Sequence, residues 1–242
     1  SQLSRIDPEK WEDLSIKRPI SLIVALVLVV PNIWFSLMQW KITLRVMDLD
    51  TDRKRTVHSF FAGLITGMLT PNMVGNFIGR FYYFDKEHRG TITFLTLVSN
   101  YSHLLSTLIF GLIAVFSVGE IYGIGSSWQW LLFFVSGCAL AFFLYFFIEK
   151  PLKWFKRAKF LEMSQTILKE HPFFRWNLIW WSMARFVVFT LQSSLVLHAF
   201  GEAWSFGLLL AIWQVYLITL MVPSLFLGKL GVKEAISVGV LG

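Results

Sequence analysis

Apolar residues run along this chain in blocks of about 20, separated by short polar stretches rich in Lys and Arg. A helix needs about that length to cross the roughly 30 Å of a bilayer's hydrocarbon. The blocks predict an all-α fold, a polytopic membrane helix bundle with about five full spans. The first span is expected over Pro19–Gln39, kinked at Pro31, because proline removes a helix hydrogen bond and clashes with the preceding turn. Thr91–Val118, Trp128–Ile148, Phe173–Ala199 and Trp204–Met221 are the other four. Lys150–Arg175 reads as a basic, amphipathic connector lying at the interface. The chain is then a single transmembrane domain over 1–242, with halves at 19–148 and 173–242.

Two stretches break the pattern. Val57–Phe84 is apolar but interrupted at Thr70-Pro71-Asn72, leaving arms too short to span at 1.5 Å per residue. This predicts a re-entrant hairpin or a broken helix, tolerated at membrane depth only under a cover of protein or beside a cavity. The second stretch is 223–242. The first carries Pro71, Asn72, Gly75, Asn76, Gly79 and Arg80, and the second Pro223, Gly228, Gly231, Lys233 and Glu234. Each gives a proline, two glycines and then a cation, a weak internal repeat. Paired Pro/Gly-broken segments point to the substrate site of a transporter. Free N–H groups at broken helix ends favour an anion, and arginine presents a planar fork suited to phosphate. The plainer alternative is that the prolines and glycines only shape packing, and that Arg80 snorkels to the interface beside Tyr82 and Tyr83.

Composition strengthens the membrane reading. Hydrophobic residues make up 55% and charged residues 15% of 242 positions, against roughly 25% charged in a soluble domain. Mean hydropathy is +0.60. The net charge of +7 does not point to nucleic acid, because the cations sit in the loops. Loops 41–55, 86–89 and 150–175 are rich in Lys and Arg, whereas 119–127 and 201–202 contain none. The positive-inside rule makes the basic loops cytoplasmic and the N-terminal segment extracytoplasmic. The polar first 18 residues contain no cleavable signal peptide, so an earlier helix is expected before this sequence begins. The location is a cell membrane of the bacterial inner type, and the partners are membrane lipids, anionic in kind.

Polar residues inside the spans are the remaining candidates. Arg185 lies well within the fourth span, where a charge costs roughly 2.5–3.5 kcal/mol on insertion scales, and Gln192 shares its face two turns on. In the second span Thr96, Ser99, Asn100, His103 and Thr107 recur at spacings of three and four. That stripe is either interhelical hydrogen-bond glue or a cavity wall, with His103 a proton carrier in the second case. No HExxH, P-loop, G-x-S-x-G or Rossmann fingerprint occurs, and Cys138 is the one cysteine. No catalytic residue, metal site or cofactor is therefore expected.

Three stretches carry a resemblance: Pro71-Asn72…Gly75-Asn76…Gly79-Arg80, Arg185-Phe-Val-Val-Phe-Thr-Leu-Gln192, and Pro223…Gly228…Gly231-Val-Lys233-Glu234. In these the chain resembles the transmembrane-region family of lysylphosphatidylglycerol synthases, flippase-like membrane proteins. The resemblance implies a domain that moves an aminoacylated phospholipid across the bilayer beside a separate synthase or transferase. The chain departs from the family at Asn76, where an acidic residue is usual, and at Lys229, where a second glycine is common. It also stops where members usually continue, so a fragment is expected. The leading expectation is a protein that binds or translocates an anionic or headgroup-modified phospholipid through Arg80, Arg185 and Lys233, with Asn76 and Gln192 reading the headgroup. The alternatives are a membrane subunit or enzyme acting on a lipid-linked substrate with a separate catalytic domain, and a non-transporting scaffold. A homo-oligomer is compatible with all three.

Overall fold

A computed structural model describes residues 15–49, 52–70, 75–118, 128–147 and 159–221, which are helical with short connections and contain no strand. The helices are α1 (Pro19–Val27), α2 (Val29–Arg45), α3 (Arg53–Met68), α4 (Gly75–Phe81), α5 (Lys86–Val118), α6 (Trp128–Phe147), α7 (Lys159–Glu170), α8 (Phe174–Ala199) and α9 (Phe206–Met221). α1 and α2 are two halves of one helix, offset at Leu28 three residues before Pro31. A proline at 31 has no N–H to give the carbonyl of Val27, and the chain adjusts in the turn before it.

Two of the described helices are long and apolar enough to cross a membrane, Pro19–Arg45 and Lys86–Ser117. Phe134–Phe147 and Phe206–Leu220 are shorter apolar helices. α8 has 26 residues, length enough to span, but Arg175, Asn177, Arg185 and Gln192 dilute its apolar character. Of the five expected spans, then, two meet both requirements. Large apolar side chains face outward on these helices, among them Ile20, Leu26, Val27, Val30, Leu140 and Phe143. Outward-facing apolar walls suit hydrocarbon rather than water.

The interrupted stretch gives two helices, one ending at Met68 and the next beginning at Gly75, and its arms are unequal. α3 has 16 residues and α4 has 7, about 24 and 10 Å long. They run antiparallel: Gly63 faces Arg80, Gly67 faces Asn76, and Gly75 and Gly79 face Thr66. Arg55 at the start of α3 donates through Nε to the Tyr83 carbonyl after α4, at 2.8 Å. The hairpin therefore returns the chain to the end from which it left. The second interrupted stretch, 223–242, lies outside the described residues.

α8 is the centre of the bundle, packed by α1, α2, α5 and α9. At one end the backbone N–H groups of Lys17 and Arg18 donate to the Ala199 carbonyl at 2.9 and 3.1 Å. Gly201, with φ of 119°, ends α8 in a left-handed turn that lets Gly201 and Glu202 cap the carbonyls of His198 and Leu197. At the other end Tyr145 of α6 donates to the Arg175 carbonyl at 3.3 Å, and Arg175 donates to the Phe146 carbonyl. Tyr101 of α5 stacks on Tyr145 of α6, with ring centroids 5.6 Å apart. α9 closes against α5 by seating Leu217 on Gly111 and Trp213 on Phe110. α7, the described part of the basic connector, lays Phe160 on Gly90 near the start of α5.

A buried polar node fixes the middle of the bundle. Gln39 of α2 donates to Ser182 Oγ at 2.7 Å and to the Leu178 carbonyl at 3.0 Å. Ser182 in turn meets Ser102 of α5 at 2.6 Å. Three helices are thus tied by neutral groups whose hydrogen-bonding needs are met internally, as apolar surroundings demand.

Candidate functional site

Polar residues from four helices converge on one cavity of about 370 Å³, partly open to the outside. α2 contributes Ser36, α3 Leu64, α4 Asn76 and Arg80, α5 Asn100, His103 and Thr107. Arg185, Phe186 and Phe189 of α8 and Tyr216 of α9 complete the wall. The α5 members recur at three- and four-residue spacing because such positions share one helical face. The lining is amphipathic: it combines guanidinium, imidazole and amide groups with aromatic rings.

Arg80 reaches it because its stem crosses the hairpin. Gly63 leaves room for that stem, since a Cβ there would lie 2.6 Å from Arg80 Cγ. The guanidinium stacks over Trp40, 4.7 Å from the ring centroid, and lies 5.8 Å from that of Phe60. Trp40 is itself held by donating to Ser59 Oγ at 3.0 Å. Arg80 is only 7% exposed, too buried to be a snorkelling interfacial arginine. Aromatic faces offset part of the cost of a desolvated cation, by about 2 kcal/mol at best. Arg80 Nε and Asn76 Oδ1, one turn before it on α4, are both buried without a partner among the described residues. Each such unsatisfied buried group costs about 1–3 kcal/mol.

Arg185 is held differently. Its Nε donates to Asn32 Oδ1 at 3.1 Å, and Nη1 to Ser36 Oγ at 3.5 Å. Nη1 also lies 3.0 Å from His103 Nε2. Arginine has no acceptor, so the histidine nitrogen accepts and the ring is neutral with its proton on Nδ1. Every partner of Arg185 is uncharged, and among the described residues no carboxylate meets either arginine.

The expected site residues divide accordingly. Asn76, Arg80, Asn100, His103 and Arg185 lie together in the cavity wall. Gln192 stands behind it, accepting from Asn32 Nδ2 at 3.0 Å and donating to the Ala25 carbonyl at 3.0 Å, so it orients Asn32, which in turn holds Arg185. Gly75 and Gly79 pack α4 onto α3: an added Cβ at either would strike the backbone or side chain of Thr66. Pro71, Asn72, Pro223, Gly228, Gly231, Lys233 and Glu234 fall outside the described residues. Asn32, Ser36, Phe186, Phe189 and Tyr216 were not among the expected site residues. A signal for the first two exists, since Asn32, Ser36, Gln39 and Thr43 form a polar stripe through the first span at spacings of four, three and four. The aromatic positions carry no such signal.

Among the described residues, then, the fold is an all-helical bundle with outward apolar walls and two cations in the wall of one cavity, which is the character of a membrane domain. The comparison of families agrees: the model of the lysylphosphatidylglycerol synthase TM region matches residues 6–242. The chain belongs to that family. No curated protein and no solved structure shows a match to it.

Proposed function

We propose that this protein is a flippase-like membrane protein that binds or translocates an anionic or headgroup-modified phospholipid, with the headgroup phosphate held between Arg80 and Arg185. The observation that carries this reading is the pair of guanidiniums, Arg80 buried and Arg185 half-buried, lining one cavity without a described acidic partner. Burying a cation unpaired costs several kcal/mol, and a phosphate supplies the missing charge with oxygens that accept from both forks. The volume falls in the range of ligand pockets, roughly 300–1,000 Å³. Phe186, Phe189 and Tyr216 offer the apolar border that a headgroup still attached to its glycerol and acyl chains requires.

In this reading α1–α2, α5, α6, α8 and α9 cross the bilayer, and the α3–α4 hairpin enters and returns on the basic, cytoplasmic side. The open cavity favours lipid handling over a purely structural scaffold. A separate synthase or transferase would make the lipid. Lipid transfer in proteoliposomes tests it, with a fluorescent anionic phospholipid and bleaching of the outer leaflet. Arg80→Ala and Arg185→Ala are expected to slow transfer at least tenfold while elution and melting of the protein stay near wild type. Unchanged transfer in both variants sinks the proposed site.

A further inference from the structure

We propose that the cavity takes up a proton together with its anionic ligand, and that the proton is carried on Nε2 of His103. The proposal rests on the reading of the cavity as a phosphate site and adds to it what happens to the imidazole when the phosphate arrives.

The argument starts from the contact between Arg185 Nη1 and His103 Nε2, 3.0 Å long. Against Arg185 the histidine can only accept, so it is neutral. An incoming phosphate competes for the same guanidinium, because its oxygens are charged acceptors and form the stronger bond. Once Arg185 turns to the anion, His103 Nε2 is left as a half-buried acceptor facing another acceptor. That arrangement carries both an unmet hydrogen bond and a repulsion between lone pairs. A proton from solvent, added to Nε2, changes the acceptor into a donor and places a third positive group on the phosphate. No other bond forms or breaks, and the proton leaves when the lipid does.

The surroundings of His103 leave this as the titrating position. From α8 it faces Arg185, from α4 Arg80 and from α9 Tyr216, all in the same cavity wall. From α2 it faces only the uncharged Ser36. On α6, Tyr145 turns to the Arg175 carbonyl instead, and α7 meets α5 at Gly90, more than three turns away. Among these residue types only histidine has an ordinary titration near neutral pH. A protein that binds anion and proton together moves the phosphate with its charge reduced, and a pH difference across the membrane then biases the direction.

Calorimetric titration of the protein in zwitterionic nanodiscs tests the proposal. The probe is dihexanoylphosphatidylglycerol, whose phosphodiester charge is constant between about pH 6 and 8, the range in which histidine responds. Each pH is measured in two buffers of different ionisation enthalpy, which reports protons taken up per anion bound. The expected result is about one proton per anion, with affinity falling about tenfold for each unit of rising pH. His103→Gln, which can still accept from Arg185 but cannot take a proton, is expected to bind with the weak affinity of the alkaline limit at every pH and with no proton uptake. Binding by the wild type that is flat with pH and free of proton uptake overturns the proposal and leaves the lipid site standing. The same pH slope in His103→Gln overturns it too. Absence of binding at every pH overturns both the proposal and the reading beneath it. The paired-buffer measurement needs only the wild-type protein, so a variant that fails to fold does not prevent the decision.

Discussion

Adding one methyl group at Gly79 probes whether the α3–α4 hairpin is held by close backbone approach. The Cβ of Gly79→Ala would strike Thr66 Oγ1 and the Ala62 carbonyl. Thr66 has no slack to offer, because its hydroxyl sits 2.7 Å from the Ala62 carbonyl and 2.6 Å from the Gly75 carbonyl. Relief requires the two helices to separate, since the atoms in the way include backbone. Overpacking of this kind costs about 1–3 kcal/mol, set against the gain of up to about 1 kcal/mol that alanine brings over glycine within a helix. A net loss of about 1–2 kcal/mol is therefore expected. Separation would also shift Arg80, which follows Gly79 in α4, and weaken anionic lipid binding. Gly137→Ala is the matched control: nothing lies within 4 Å of its added Cβ, so it keeps the propensity gain without the clash. Reversible unfolding by SDS in mixed micelles measures both variants. A Gly79→Ala protein as stable as Gly137→Ala would refute the close-packing argument.

Two further substitutions test the polar interior. Gln39→Leu removes the donor to Ser182 and the Leu178 carbonyl and is expected to cost about 1–3 kcal/mol in the same unfolding assay; wild-type stability would show that the node joining α2, α5 and α8 contributes little. Asn32→Asp places a carboxylate where Asn32 Oδ1 now accepts from Arg185 Nε at 3.1 Å. It should weaken anionic lipid binding about tenfold, because the new ion pair neutralises one of the two cavity cations, although it gives up the hydrogen bond that Asn32 Nδ2 donates to Gln192 at 3.0 Å. Unchanged lipid affinity in Asn32→Asp would contradict the role given to the charge of Arg185.

Much of the site was legible because helical spacing converts directly into a face. Asn100, His103 and Thr107 share one face of α5 by their three- and four-residue intervals, and that face is the one that lines the cavity. Arg185 was legible by its depth in an apolar run, where a cation is costly enough to imply a purpose. The break between α3 and α4 was legible from Pro71-Asn72, although periodicity did not show how unequal the arms are. Gln192 was read as a headgroup contact because it shares a helical face with Arg185. It was placed behind the cavity instead by Asn32, a residue some 160 positions away, and no local pattern reports such a partner.

By itself, then, the sequence determined that the chain is helical, where its apolar runs lie and which cations are stranded among them, since these follow from composition and from the 3.6-residue period. Only the tertiary structure decided which stranded groups meet. Arg80 and Arg185 come from separate segments, and they share a cavity because glycines at 63, 75 and 79 let α4 lie on α3. The same assembly sets His103 against Arg185 and Trp40 beneath Arg80. Charge at a position is a local property, but whether that charge is met by an aromatic face, a neutral acceptor or an open cavity depends on helices far apart in the chain.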